Sequence, residues 1–230
     1  MSTRFVDPLE ELLKNEAADQ LLRFFTLAEE RLTLAFPRAS TMLAESVSPS
    51  AKQVRGTTRR HFLHEALATA ARDAGLEFEN RWTDPATWSF PVVRSGSFSM
   101  TIGILDTRFR GAGRALRTTS QYVADLCERN VVANPQAGLF DGLDRKDVII
   151  PRGSLGALIV AQYSPANPDE PAFLGFWVPS PDLREPYYVR SFDQVIAALR
   201  EHLEMGRRPS KKVVERKTLK LRKKPDDKKA

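Results

Sequence analysis

Two stretches in the C-terminal half, Leu155–Tyr163 (LGALIVAQY) and Ala172–Val178 (AFLGFWV), are almost unbroken apolar runs of strand length. A strand with one face in water alternates apolar and polar residues. A run that is apolar at nearly every position implies a strand covered on both faces. A chain built around these two segments needs a central sheet with a packed layer on each side. The intervening SPANPDEP is rich in turn formers and predicts an antiparallel hairpin with a long loop.

The covering layers are legible as amphipathic helices. Asp7 is a good N-cap, Pro8 suits the first helical position, and Glu10 completes a capping-box-like spacing. Leu9, Leu12, Leu13, Ala17, Leu21, Phe24, Ala28 and Leu32 then recur at helical spacing, and Pro37 stops the pattern after Phe36. The spacing predicts one long N-terminal helix over residues 1–36 whose apolar face docks on the body or on a second chain, as a protein partner or a homo-oligomer. Residues 37–56 read as a connecting segment with a short helical piece. A second helix is expected from Thr58 to Ala74, closed by Gly75. Phe62, Leu63, Ala66, Leu67, Ala70 and Ala74 share its apolar side, His61, Glu65 and Arg72 lie opposite, and His64 falls at the margin.

Leu76–Arg81 reads as an edge strand. Ser97–Leu105 alternates cleanly, with Phe98, Met100, Ile102 and Ile104 pointing one way. A third helix is expected over Ser120–Val131, burying Tyr122, Val123, Leu126 and Cys127. After a short strand at Tyr187–Arg190, Ser191 caps a closing helix carrying Phe192, Val195, Ile196, Leu199 and Leu203. The pattern predicts an α+β domain over residues 57–205, with a mixed or mainly antiparallel central sheet packed by helices.

Charge divides the chain sharply. Residues 206–230 hold 12 Lys or Arg against Glu215, Asp226 and Asp227, a net +9, whereas the first 205 residues hold 23 basic and 26 acidic groups, a net −3. With only Val213, Val214, Leu219 and Leu221 as large apolar residues, the tail is expected to be disordered. Arg207, Arg208, Lys211, Lys212, Arg216, Lys217, Lys220, Arg222, Lys223 and Lys224 form an electrostatic arm suited to phosphate backbones; its alternatives are a merely solubilising tail or an anionic membrane surface. It lacks the aromatic or apolar face that accompanies membrane anchoring, so no membrane partner is expected.

Within the body, Arg108, Arg110, Arg114 and Arg117 crowd into ten residues with no acid among them, joined by Gly111 and Gly113. Guanidinium forks and accessible N–H groups suit phosphate oxygens, and a solvated loop paired to surface carboxylates is the plainer reading. Trp82 and Trp88 flank a loop, RWTDPATWSF, where exposed rings would stack bases and buried ones would pack on the first helix; Trp177 lies in core text.

Catalytic patterns are thin. His61 and His64 stand three apart rather than in the HExxH frame, so no metal site is assigned. Asp144-Arg145-Lys146 has the acidic-x-Lys spacing of a PD-(D/E)xK nuclease, with Asp106 and Glu65 as further carboxylates, but the triplet sits in turn-rich text. Neither Gly153-Ser154-Leu155-Gly156 nor Gly111-Ala112-Gly113 fits a nucleophile elbow or dinucleotide fingerprint, and no cofactor is expected. Cys127 is the one cysteine, which excludes an internal disulfide, and no signal peptide or membrane span is visible; a cytoplasmic location is expected. The sequence therefore points to a non-catalytic nucleic-acid-associated binding or accessory protein, with a metal-dependent nuclease or a protein–protein regulator of toxin–antitoxin or phage type as alternatives.

Overall fold

A computed structural model describes residues 7–14, 17–42, 50–106, 121–133, 150–164 and 166–207. Asp7 caps helix α1 (Pro8–Leu13): its carboxylate accepts the Leu9 N–H at 2.8 Å. The helix expected to run from Asp7 to Phe36 is two helices. α1 closes at Lys14, and α2 starts at Ala18 and continues to Thr41. Pro37 sits inside α2 instead of ending it. A proline there removes one backbone hydrogen bond, and packing holds the turn from outside. Phe36 and Ala39 are fully buried, and the Arg38 guanidinium lies 4.5 Å from the Phe62 ring centre.

Helix α3 (Ala51–Ala74) begins inside the stretch expected to connect. Its end is as expected. Gly75 takes φ 76°, its N–H bonds Arg72 C=O at 3.0 Å, and the Leu76 N–H bonds Ala71 C=O at 2.9 Å. This left-handed closure favours glycine. An Arg31–Asp73 bridge of 2.7 Å ties α2 to α3.

Among the described residues six strands form one mixed sheet in the order β1-β2-β3-β4-β5-β6, making the protein α+β. They are β1 (Glu77–Trp82), β2 (Ser89–Ser95), β3 (Phe98–Asp106), β4 (Leu155–Ser164), β5 (Asn167–Pro179) and β6 (Pro186–Ser191). All neighbours are antiparallel except β3 and β4, which run parallel from Phe98↔Leu155 to Asp106↔Tyr163. A parallel pair needs a crossover, and helix α4 (Gln121–Cys127), passing directly into a 3₁₀ turn (Glu128–Ala133), lies on it. The helix expected over Ser120–Val131 is thus shorter and tighter. The long loop expected between the two apolar runs is also short, because β5 already begins at Asn167, with register shifts around Tyr163. Helix α5 (Phe192–Arg207) follows β6 through a reciprocal cap: the Gln194 N–H donates to Ser191 Oγ at 3.3 Å, and the Ser191 N–H to Gln194 Oε1 at 3.1 Å.

The two-sided burial expected of β4 and β5 is present over residues 155–161 and 175–178, while Ala172 is exposed and Phe173 and Leu174 are half-buried. On one face Phe98, Met100, Ile102, Ala157, Ile159, Phe176 and Val178 pack under Leu12 of α1 and the apolar stripes of α2, α3 and α5. The N-terminal apolar face, expected to dock on the body or on a second chain, is covered by this chain's own body. On the other face Leu105, Leu158, Val160 and Trp177 pack with Val123 and Cys127 of α4. Asn130, wholly buried, fastens that layer. Its Nδ2 donates to Gly156 O at 2.8 Å and Pro179 O at 2.7 Å, and its Oδ1 accepts from the Gly156 N–H at 2.8 Å. A Cβ on Gly156 would stand 2.2 Å from the Leu126 carbonyl oxygen, so the approach requires glycine.

Candidate functional site

α4 covers only part of its face of the sheet. Beside it, β1, β2 and the start of β3 floor a groove of about 790 Å³. Alternation puts Glu77, Glu79 and Arg81 of β1 on this face, with Phe90, Val92 and Arg94 of β2 next to them and Ser99 of β3 beyond. Gln121, Tyr122 and Asp125 of α4 form one wall, and Arg152, Gly153 and Ser154 close one end. The turn is set by Ser99 Oγ donating to Gly153 O at 2.9 Å and by Gly153 N–H donating to Gly96 O at 3.0 Å. Phe90 and Tyr122 stack with ring centres 3.9 Å apart and planes 18° from parallel, giving the floor an aromatic step.

A row of charge crosses the groove. Arg152 meets Glu77 at 3.0 Å, Glu77 meets Arg94 at 2.9 Å, Arg94 meets Glu79 at 2.7 Å, and Arg81 closes the row on Glu79. Three guanidiniums meet four carboxylates, Glu77 and Glu79 in the row and Asp84 and Asp125 at the lining, so the groove itself carries no excess of positive charge. These pairs are half-exposed, so each contributes only about 0–1 kcal/mol and can be exchanged for another anion at small cost.

Trp82 stands on the groove's rim with 66% of its surface exposed, the largest described side chain left so open. Trp88 has a different environment. It packs on α3, its Nε1 donating to His64 Nδ1 at 3.3 Å and its ring 6.0 Å from the Arg60 guanidinium, so α3 and not the first helix receives it. Trp177 is buried in the α4-side core, as its sequence context implied.

A smaller hollow of about 400 Å³ lies across Trp82, between the outer side of α3 and the β1–β2 end. His61 and Glu65 line it, with His64 at its base. His64, expected at the margin of the exposed side, is buried at 7% exposure, because Trp88 and Ser89 fold over it. Burial pushes its pKa down to about 4, so the ring is neutral at neutral pH. Its Nδ1 is also 3.2 Å from Ser89 O. An unprotonated Nδ1 accepts from Trp88, and a protonated one donates to Ser89 instead.

Among the described residues no three His, Cys, Asp or Glu side chains are grouped to hold a metal ion. Of the nuclease-like residues, Glu65 is exposed on α3 and Asp106 ends β3, while Asp144 and Lys146 lie outside the described residues. Arg108, Arg110, Arg114 and Arg117 also lie outside them, as does the tail beyond Arg207, whose backbone ends α5. The groove arginines 81, 94 and 152 were not singled out in the sequence. They are scattered over three segments, and only the strand pairing aligns them. Among the described residues no helix is long and apolar enough to cross a membrane. Compared with known family models, curated proteins and solved structures, the chain gives no match.

Proposed function

We propose that this protein is a non-catalytic nucleic-acid-associated binding protein that takes a single strand in the β1–β2–α4 groove and adds affinity through its basic tail. The observation carrying this reading is the open Trp82 indole at the rim of the groove, at the end of the strand whose groove face carries the arginine row. A single strand needs aromatic platforms for its bases and cations for its phosphates, and each stacked base contributes about 1–3 kcal/mol. Trp82 supplies the platform. Arg81, Arg94 and Arg152 exchange their carboxylate partners for phosphate oxygens. Arg152, with 71% of its side chain exposed, is the freest to do so. The +9 tail contributes the sequence-independent, salt-sensitive share of affinity, with the Arg108–Arg117 segment as a further basic element.

Fluorescence anisotropy with a labelled oligothymidylate tests the reading. The full chain binds at low salt; Trp82→Ala weakens binding by about tenfold, one platform's worth. Removing residues 206–230 flattens the salt dependence. A full chain that shows no binding at low salt contradicts the proposal. Binding indifferent to Trp82→Ala would place the site elsewhere.

A further inference from the structure

Among the described residues strand β1 is an edge that pairs only with β2, and that ladder is regular over all six residues. On the outer side, every second residue turns its N–H and C=O away from β2. Protected edges carry bulges, prolines or inward charges, or they repel a second strand with charges of one sign. β1 has none of the first three and carries both signs on one face: Glu77, Glu79 and Arg81.

Mixed charge makes the edge selective for register. A second copy that extends the sheet with its helices on the same side is related by a two-fold axis normal to the sheet. Residues of one face then meet residues of the same face, which restricts the registers to those centred on a single residue. Centred on Glu79, two carboxylates meet at the axis. Centred on Asn80, every pair from Phe78 to Trp82 is complementary. Glu79 opposes Arg81 of the other copy, and Arg81 opposes its Glu79. Phe78 opposes Trp82 in both directions. At the axis two Asn80 amides meet, each able to donate and to accept. Asn80, Arg81 and Trp82 are all exposed, so the strand is open to this pairing.

We infer that β1 is a self-association edge: two copies pair antiparallel through Phe78–Trp82, centred on Asn80, joining their two six-stranded sheets into one. The partner's chemistry is that of β1 itself, and charge complementarity across the two-fold commits it to a second copy. Five-residue edges make a small interface, so the dimer is weak and concentration-dependent. Trp82 serves the strand in the dimer and the proposed single strand in the monomer, yet the dimer stands without any nucleic acid and is tested without it.

Sedimentation equilibrium of the full chain is the test. The mass rises from 25.9 kDa towards twice that value with concentration. Glu79→Arg and Arg81→Glu each place like charges opposite one another twice, and each weakens association by about tenfold or more. Mixing the two variants restores complementary pairs and restores the dimer, a result that misfolded variants could not give. In the wild-type chain alone, amide exchange at Phe78–Trp82 slows as concentration rises. A chain monomeric at all concentrations, unchanged association in both reversals, a mixture that stays monomeric, or exchange in β1 independent of concentration would each overturn the inference.

Discussion

At the scale of single residues, two buried titratable groups, His64 and Cys127, are held neutral by their surroundings. His64 has a folded pKa of about 4 against an ordinary 6.5, with burial the main cause and Arg60 and His61 adding to it. Between those values the unfolded chain holds the proton and the folded chain does not. Stability therefore rises with pH across this window, is fully present above about pH 6.5, and is lost as pH falls toward 4. The group's share is up to about 3 kcal/mol. Urea midpoints measured from pH 7 to 4.5 should fall accordingly, and His64→Gln should flatten that slope. Cys127 is a second buried group. Burial alone pushes its thiol up to about 12, so it stays protonated and unreactive. Ellman's reagent should leave the folded protein untouched at pH 8 and titrate one thiol after guanidinium unfolding.

At the scale of elements, the Asn130–Gly156 joint fixes α4 and its 3₁₀ turn to the sheet and so shapes the groove wall. Asn130→Ala strands the Gly156 N–H and two carbonyls in a dry interior, at a cost of about 2–4 kcal/mol. Gly156→Ala forces a methyl onto the Leu126 carbonyl and should cost at least as much. Both should lower the thermal midpoint by several degrees, and oligonucleotide affinity should fall with them. Elements with local signals were legible in the sequence. The Asp7 cap, the Gly75 closure, the Ser191 cap, the alternation of β3 and the two-sided burial of β4 and β5 each rest on neighbours a few residues away. What tertiary packing decides was not legible. Pro37 reads as a stop, but buried neighbours carry α2 past it. β2 is obscured by Pro91, whose carbonyl accepts from Thr101 Oγ1 at 2.7 Å in the folded sheet. The parallel joining of β3 to β4 has no local signature. Trp82 and Trp88 look alike in sequence, and only the position of His64 on α3 separates the buried ring from the open one.

At the scale of the whole molecule, one sheet serves two different faces. The α1–α2–α3–α5 side is closed packing, while the α4 side leaves a groove between the edge strand and the crossover. In the sequence the basic tail follows the last helix, so the net positive charge lies outside the first 205 residues, which carry a net −3. Removing it should reduce affinity for every oligonucleotide alike and leave the Trp82 effect intact, because stacking and backbone neutralisation are independent contributions. Competition for Trp82 should also make oligonucleotide binding weaken as protein concentration rises into the dimer range. The most direct test of the groove as a single-strand site is quenching of Trp82 fluorescence by oligothymidylate, comparing the full chain with Trp82→Phe at a concentration where the chain is monomeric. Saturable quenching in the full chain that is largely lost in Trp82→Phe is the predicted result. Equal quenching in both, or none in either, would contradict it.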